Sequence, residues 1–263
     1  MRQKLPDFPW DALAPYGAIA KKHPQGAIDL SVGTPVDPTP EFIQKAFQEA
    51  ANSPSYPVTV GTPELREAIT AWAKKYLGAT GDFGVLPLIG SKEFVAWLPT
   101  FIEAQSVLYP DVAYPTYLVG SLLAEADATP VSLDASQWPQ ADMAWVNSPS
   151  NPTGRVHSEA EFKAAIDWSR KNKSVVVSDE CYLEFGDSVK PTSILNYTGG
   201  DNTNILAVHS LSKRSSMAGY RAAFIVGDPA LIARILEVRK HAGMMVPLPV
   251  QVAMVAALSD KEH

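Results

Sequence analysis

A lysine that follows a run of apolar, β-forming residues is the first candidate for chemistry in this sequence. Residues 204–208 are typical of a buried strand, and Ser210, Ser212 and Lys213 come directly after it, with Arg221 a few residues further on. An amine between hydroxyls and an arginine has the components of a Schiff-base site, namely a nucleophile and neighbouring anion donors. Loop lysines are more often solvated surface charges, so this pattern alone leaves both interpretations of Lys213 open.

Apolar β-forming runs alternate with helical patterns along most of the chain. Strands are predicted at residues 27–32, 85–89, 106–109, 129–133, 143–146, 174–178 and 204–208. Helices are predicted at residues 11–23, 41–51, 63–77, 94–101, 116–125, 158–171, 229–241 and 247–258. This alternation predicts an α/β fold with a mostly parallel sheet that helices cover on both faces.

Polar residues follow several of these strands, where parallel sheets bind their ligands. They are Gly90 and Ser91, Tyr114, residues 147–151, Asp179, and residues 210–213. The start of a helix after Gly90 offers free backbone amides to an anion, although a plain turn would have the same sequence. Gly33, after the first predicted strand, either permits a close approach of the backbone to a ligand or only makes a turn.

The composition limits the classes of function. The chain has 263 residues, 46% of them hydrophobic and 19% charged, with a formal net charge of -6. This length allows one large core, or one large and one small domain, and the absence of a basic stripe argues against nucleic acid as a partner. One cysteine and five histidines without ligand spacing argue against a disulfide framework and a metal site. Without a secretion signal or a membrane-length apolar run, we expect a cytoplasmic protein with no membrane partner.

Three segments together resemble the fold-type I pyridoxal-phosphate aminotransferases of class I/II. They are residues 147–154 (NSPSNPTG), residues 178–182 (SDECY), and residues 210–213 followed by the Gly-Tyr-Arg of residues 219–221. Their order and spacing carry the resemblance, which covers nearly the whole chain. The amino-acid sequences of residues 30–37, 86–93 and 243–249 are most similar to those of the actinobacterial N-succinyldiaminopimelate aminotransferases.

The resemblance implies a role for each matching residue near the cofactor ring. Lys213 would form the Schiff base and then carry the proton between the substrate Cα and the C4' of the cofactor, because a desolvated amine flanked by cations loses its proton near neutral pH. Asp179 would keep the ring nitrogen protonated. Asn151 and Tyr182 would donate hydrogen bonds to the 3-oxygen of the ring. Without the neighbouring motifs, Asp179 and Asn151 would be interpreted as turn or capping residues.

The same resemblance implies a site for the cofactor phosphate. The phosphate would lie at the Gly90 turn, where it would accept hydrogen bonds from the backbone amides of Ser91 and Lys92. The hydroxyl of Ser210 and the guanidinium of Arg221 would complete the site, since a planar fork of donors suits a dianion.

Further residues match family positions around the ring and the substrate. Tyr114 would stack on the ring, unless it is only a packing aromatic at a strand end. Gly33 and Asn151 would lie beside the substrate carboxylate, and Lys92 is a candidate contact for an acidic substrate tail. Tyr56 would reach the phosphate of the neighbouring subunit, so the resemblance implies a homodimer with shared sites.

The resemblance also divides the chain into parts. Residues 1–40 would contribute to a small domain, residues 41–245 would form the large cofactor-binding domain, and residues 246–263 would begin a helix leading to a C-terminal part of the small domain that this sequence lacks. In the family, that part carries the arginine that binds the substrate α-carboxylate. The chain is then either a fragment or naturally short, and apolar residues of the last helix would be exposed and need a partner. These residues are Val250, Val252, Met254 and Val255.

The resemblance implies transamination between an amino acid and a 2-oxo acid by a ping-pong mechanism. The favoured pair is N-succinyl-LL-diaminopimelate with 2-oxoglutarate, in lysine biosynthesis. The alternatives are another class I/II aminotransferase acting on aspartate, alanine or aromatic substrates, a β-lyase, and a truncated chain that binds the cofactor without activity. A transcriptional sensor built on this fold would need a winged-helix reader, for which the N-terminus has no room.

Some conspicuous residues are expected to be structural. Alternation along an extended segment would turn Cys181 away from the face shared by Asp179 and Tyr182, so Cys181 is expected to be a small buried residue. Three tryptophans in helical patterns are expected in the core; they are Trp72, Trp97 and Trp168.

Overall fold

The computed structural model describes residues 4–186 and 188–263. Its strands are β1 (Gly84–Ile89), β2 (Ser106–Pro110), β3 (Asp127–Val131), β4 (Met143–Asn147), β5 (Val175–Asp179), β6 (Ile205–Ser210) and β7 (Ala222–Gly227). Its α-helices are α1 (Pro9–Ala20), α2 (Glu41–Glu49), α3 (Pro63–Trp72), α4 (Ser91–Phe101), α5 (Thr116–Leu123), α6 (Glu159–Asn172), α7 (Leu211–Arg214), α8 (Pro229–His241) and α9 (Leu248–Ser259). A π-helical turn at Ala73–Leu77 continues α3.

The strands of this part of the chain form one seven-stranded sheet in the order β1-β7-β6-β5-β4-β2-β3. Strands β3, β2, β4, β5 and β6 pair in parallel, whereas β7 is antiparallel to both of its neighbours. The predicted mostly parallel sheet is therefore confirmed. Parallel neighbours require crossover connections, and these bring the carboxyl ends of β4, β5 and β6 to one edge of the sheet.

The core lies on both faces of the sheet. Along β4, Met143 and Trp145 pack with residues of α4, α5 and α8, while Ala144 and Val146 pack with residues of α2, α3, α6 and α9. Because successive side chains of a strand point to opposite faces, a strand covered on both sides must be apolar throughout. This explains why the central strands are continuous apolar runs.

Local signals position the helices as predicted. The Thr62 hydroxyl accepts a hydrogen bond from the backbone N of Leu65 at the start of α3, and Ser158 and Glu161 form the capping box of α6. The buried Arg239 of α8 lies 2.9 Å from Glu93 of α4. This ion pair fixes the first turn of α4, which faces the edge of the sheet where the site lies.

The predicted strand at residues 27–32 is wrong. The segment has no strand structure, and Ile28 and Leu30 are 90% and 87% exposed. An apolar run becomes a strand only when a neighbouring strand pairs with its backbone, and no strand of the described residues does so here. The prediction also missed β7, whose residues are all buried.

The prediction for Trp97 is also wrong, whereas Trp72 and Trp168 are buried as expected. Trp97 is 38% exposed. Phe94, Val95 and Leu98 belong to the buried stripe of α4, and Trp97 lies at the border of this stripe, where a side chain is only partly covered.

The last helix is packed rather than exposed, so the expectation for its apolar residues is wrong. Helix α9 packs against α2 and α3, where Val250 and Met254 are buried and Val252 and Val255 are half-buried. The buried Gln251 side chain accepts a hydrogen bond from the backbone N of Thr62 at 2.8 Å. The same side chain donates to the carbonyl of Val246 at 2.8 Å, so both ends of its amide are satisfied.

We expect Met254→Ala to lower the free energy of unfolding by about 2–5 kcal/mol, because it leaves a cavity between α9 and its neighbours. Urea denaturation followed by circular dichroism measures this loss. The control is Val238→Ala, at an exposed position of α8, for which we expect a change within about 0.5 kcal/mol. Equal effects of the two substitutions would show that α9 does not depend on this packing.

Candidate active site

A pocket of about 670 Å3 lies at the carboxyl ends of β4, β5 and β6. It brings together most of the residues that the sequence predicted for the site. They are Gly33, Ser91, Lys92, Tyr114, Asn151, Asp179, Tyr182, Ser210, Lys213 and Arg221. Residues far apart in sequence meet here because parallel strands all end at the same edge of the sheet.

Lys213 projects from α7, which begins directly after β6. The Ser210 hydroxyl caps this short helix by accepting a hydrogen bond from the backbone N of Ser212 at 3.1 Å. The Lys213 Nζ donates to the carbonyl of Gly33. Burial lowers the pKa of Lys213, and the positive charge of Arg221 lowers it further. A larger fraction of this amine is therefore neutral near pH 7 than of an ordinary lysine.

Asp179 ends β5 and is 7% exposed. Its Oδ2 accepts a hydrogen bond from the hydroxyl of Tyr117 at 2.9 Å, and its Oδ1 accepts one from the backbone N of Cys181 at 3.2 Å. Burial raises the pKa of Asp179, while the hydrogen bonds from Cys181 and Tyr117 act in the opposite direction. The carboxyl group is thus held in one orientation where solvent reaches it poorly.

Tyr117 is a member of this site that the sequence prediction missed. Its side chain is completely buried, and its ring stacks on Trp145 with the ring centroids 5.1 Å apart. One feature of the sequence could have indicated it. Tyr117 follows Tyr114 by three residues where a helix is predicted to start, and a tyrosine buried at that place would need a hydrogen-bond partner.

Asn147 fixes the loop that follows β4. Its side-chain oxygen accepts a hydrogen bond from the backbone N of Asn151 at 2.6 Å, and its amide donates to the carbonyl of Asp179 at 2.9 Å. These bonds bring the Asn151 amide to 3.5 Å from the hydroxyl of Tyr182. The donors predicted for the 3-oxygen of the ring therefore lie side by side.

Arg221 and the start of α4 form the cationic end of the pocket. Gly90 precedes Ser91 with φ +78°, and a Cβ atom there would lie 2.1 Å from a terminal nitrogen of Arg221. The Arg221 guanidinium donates to the carbonyl of Ala218 at 2.9 Å. An arginine beside free amides of a helix start is a good site for a phosphate dianion, and Gly90 is required for this close approach.

The N-terminal segment closes one side of the pocket. Trp10, Leu13, Leu30 and Val32 line the pocket, and the Trp10 indole donates to the carbonyl of Ser31 at 3.2 Å. The Lys92 ammonium lies 5.0 Å from the ring centre of Phe8 and 5.3 Å from that of Trp10. Lys92 thus contacts aromatic rings of the N-terminal segment at the rim of the pocket.

The expectation for the orientation of Cys181 is wrong. Strand β5 ends at Asp179 and residues 181–184 form a turn, so the alternation of an extended segment does not apply. Cys181 is half-buried and lines the pocket with Asp179 and Tyr182. Burial raises the pKa of its thiol well above the usual value.

Tyr56 is the predicted residue that the structure does not bring to the pocket. Its side chain is 92% exposed. Its contact with a neighbouring subunit stays a prediction.

Arg214 is a second residue that the sequence prediction left without a role. Its Nε lies 2.6 Å from Oε2 of Glu184, in the turn that carries Tyr182, and its guanidinium donates to the carbonyl of Ala257 in α9 at 3.1 Å. Arg214 therefore joins the lysine segment to the turn that carries Tyr182 and to α9. Nothing in the sequence distinguishes it from a surface charge next to Lys213.

Within residues 4–186 and 188–263, no helix is both long enough and apolar enough to cross a bilayer. The His, Cys, Asp and Glu side chains of the same residues form no group of three or more that could hold a metal ion.

Comparison with known proteins identifies the family. The sequence model of "Aminotransferase class I and II" matches residues 25–263. The chain is 49% identical over 269 residues to the 4-dedimethylamino-4-oxo-anhydrotetracycline transaminase OxyQ of Streptomyces rimosus, covering 99% of this chain and 75% of that protein. It is 50% identical over 267 residues to the probable aminotransferase Rv1178 of Mycobacterium tuberculosis, covering 98% of this chain and 64% of that protein.

A solved structure agrees with this result. The probable N-succinyldiaminopimelate aminotransferase of Thermus thermophilus superimposes with a TM-score of 0.87 at 27% identity, covering 96% of this chain and 73% of that one. The fold is that of the fold-type I transferases, and this family depends on pyridoxal phosphate. The chain belongs to the class I and II aminotransferase family.

The residues of the pocket fit pyridoxal phosphate. Because Gly90 has no Cβ, the Arg221 guanidinium can approach the start of α4. The guanidinium and the free backbone amides there are suitable donors to a phosphate group. The buried Asp179 carboxylate suits a cationic ring nitrogen, because a buried charge needs a partner of opposite sign. The partly desolvated amine of Lys213 suits the aldehyde.

We expect Gly90→Ala to raise the Kd for pyridoxal phosphate at least about tenfold, a loss of about 1.4 kcal/mol. The added methyl group would displace the Arg221 guanidinium from the cradle at the start of α4. Titration of the chain with the cofactor, followed by absorbance, measures Kd.

Gly243→Ala is the matched control for this prediction. Gly243 has φ +68° and open space where its Cβ would lie, so it shares the backbone strain but not the contact. If both substitutions weakened cofactor binding equally, strain alone would explain the effect and the proposed cradle would be refuted.

Proposed function

We propose that this chain catalyses a pyridoxal-phosphate-dependent transamination between an amino acid and a 2-oxo acid, by a ping-pong mechanism. The observation that carries the proposal is a set of three groups in one pocket: an amine with a lowered pKa, a buried carboxylate, and an arginine beside the start of α4. The family relationship supports the same reaction type. The chain spans 64% of one relative and 75% of another, so the activity of the whole protein is part of the proposal.

The cofactor supplies, when bound, a reactive aldehyde and a conjugated ring that accepts electrons. Lys213 contributes the nucleophilic amine, and burial lowers its pKa, which favours the neutral, nucleophilic form. When it is not bonded to the cofactor, the Lys213 amine would be the base that moves a proton between the substrate Cα and the C4' of the cofactor.

The other residues bind and orient. Asp179 would hold a proton on the ring nitrogen, and its hydrogen bonds to Tyr117 and Cys181 keep its oxygens in place. Asn151 and Tyr182 would donate to the 3-oxygen, and Tyr114 would cover one face of the ring. The phosphate would lie between the start of α4, the Ser210 hydroxyl and the Arg221 guanidinium.

The favoured amino donor is N-succinyl-LL-diaminopimelate, with 2-oxoglutarate as the acceptor, in lysine biosynthesis. Two observations support this choice. A solved aminotransferase of similar fold bears the name of this substrate. Lys92 offers a cation at the rim of the pocket, where the acidic tail of a succinylated substrate would extend.

A second candidate substrate is a polycyclic oxo compound. The 49% identity to a transaminase of oxo-anhydrotetracycline favours it, as does the apolar wall of the pocket. This wall consists of Trp10, Leu13, Leu30 and Val32. A flat aromatic substrate would bury more of these side chains than a succinylated one would.

We also propose a homodimer in which Tyr56 reaches the phosphate site of the partner subunit. In support, Tyr56 is 92% exposed and lies outside the pocket of its own chain. An exposed aromatic of this size is suited to burial in an interface.

The reaction type is tested by the absorption spectrum of the chain with pyridoxal phosphate, before and after borohydride, together with glutamate formation from 2-oxoglutarate. We expect a Schiff-base band that borohydride traps covalently in the wild type and that Lys213→Ala lacks. Lys171→Ala, which removes an exposed lysine of α6, should retain the band. A trapped band in Lys213→Ala would refute the assigned nucleophile, and pyruvate with ammonia in place of glutamate would indicate a β-lyase.

The substrate is tested with Lys92→Ala. We expect KM for N-succinyl-LL-diaminopimelate to rise about tenfold, and KM for a neutral amino acid to change little, because only the acidic tail loses a cation. Lys171→Ala is again the control. Equal changes for both substrates would count against the succinylated donor, and faster turnover of a polycyclic oxo acceptor than of 2-oxoglutarate would favour the second candidate.

A further inference from the structure

Tyr117 makes a hydrogen bond to Asp179, the residue proposed to face the ring nitrogen of the cofactor. Its hydroxyl donates to Oδ2 of Asp179 at 2.9 Å, in a contact where both partners are buried. Oδ1 of the same carboxyl group accepts from the backbone N of Cys181 at 3.2 Å. Because a carboxylate oxygen has two acceptor positions, each oxygen keeps capacity for a further partner in the pocket.

The packing around Tyr117 fixes the direction of its hydroxyl. The Tyr117 ring stacks on the Trp145 ring, with the ring centroids 5.1 Å apart and the ring planes inclined by 27°. Tyr114 meets it edge-on at 6.1 Å. With no part of its side chain exposed, Tyr117 has no room to turn toward solvent.

The chemistry of the pair favours a charged Asp179. Burial, and then the neighbouring Asp179, raise the pKa of the Tyr117 phenol well above its usual value, so the hydroxyl stays a donor. A donor to a carboxylate stabilises the charged form of that carboxylate. Any buried tyrosine needs a hydrogen-bond partner, but the partner of this one, Asp179, lines the pocket.

We propose that Tyr117 is a positioning residue, whose hydroxyl keeps Asp179 ionised and directed at the ring nitrogen of bound pyridoxal phosphate. This inference rests on the proposed function, since Asp179 has a ring nitrogen to face only if the chain binds this cofactor. It adds a residue that acts through Asp179. It also predicts that removal of the Tyr117 hydroxyl weakens only the contact of Asp179 with the ring nitrogen.

The test compares two cofactors, pyridoxal phosphate and the analogue in which a CH group replaces the ring nitrogen. We expect wild-type chain to bind pyridoxal phosphate more tightly than the analogue, and Tyr117→Phe to reduce this preference about tenfold. The ratio of the two Kd values isolates the ring nitrogen, because the phosphate, the aldehyde and Lys213 are common to both complexes.

Three further variants control the comparison. Tyr197→Phe removes a phenol hydroxyl that pairs with Thr192, outside the pocket, and should leave the preference unchanged. Asp179→Asn should abolish the preference. Adding Tyr117→Phe to Asp179→Asn should then cause no further change in the ratio, because the two residues act through one contact.

The pH dependence provides a second readout. Burial raises the pKa of Asp179 and the bond from Tyr117 lowers it, so Tyr117→Phe should raise this pKa. The carboxylate loses its charge as the pH falls through its pKa. The preference for pyridoxal phosphate over the analogue should therefore disappear at a higher pH in Tyr117→Phe than in the wild type. The other ionisable groups around Asp179 are the same in both proteins; they are Tyr114, Cys181, Tyr182, His209 with Glu180, and Lys213.

The outcomes distinguish this inference from the proposed function. If the wild type bound both cofactors equally, the contact between Asp179 and the ring nitrogen would be refuted, and the inference with it. If the wild type showed the preference and Tyr117→Phe kept it in full, only the role of Tyr117 would be refuted. An equal loss of affinity for both cofactors in Tyr117→Phe would reveal a purely structural role and would also overturn the inference.

Discussion

The burial of one carboxyl group at the end of β5 constrains much of the structure around it. Asp179 is almost out of contact with solvent, and a buried carboxylate is costly unless donors surround it. Tyr117 and the backbone N of Cys181 supply those donors, while Asn147 binds the carbonyl of the same residue. The start of α5, the turn after β5 and the loop after β4 are therefore held at one point.

The opposite end of the pocket depends on a close approach rather than on burial. Gly90 leaves room for the Arg221 guanidinium beside the first turn of α4, and the pair of Glu93 with Arg239 anchors that turn to α8. Lys213 lies between the two ends, on a four-residue helix that Ser210 caps. A carboxylate, an amine and an arginine are thus held by three different strand ends, and this separation suits an elongated cofactor with a ring at one end and a phosphate at the other.

The connections of the lysine segment reach beyond the pocket. Arg214 pairs with Glu184 in the turn of Tyr182 and binds the carbonyl of Ala257 in α9. Helix α9 is in turn packed on α2 and α3. The position of Lys213 is therefore coupled to the packing of the last helix, which is why this helix belongs to the structural support of the site.

The sequence by itself determined most of the elements and the ends of the parallel strands β4, β5 and β6, although it did not reveal β7. The apolar runs, the cap at Thr62 and the capping box at Ser158 are local signals, and they predicted the parallel sheet and the edge where Asp179 and Lys213 meet. Only the tertiary structure decided which side chains complete the site. Tyr117, Asn147 and Arg214 acquire roles through partners that are distant in sequence, and Cys181 faces the pocket because β5 ends two residues earlier. Residues 27–32 have the pattern of a strand but no pairing partner in the described chain, and local pattern cannot reveal whether a partner exists.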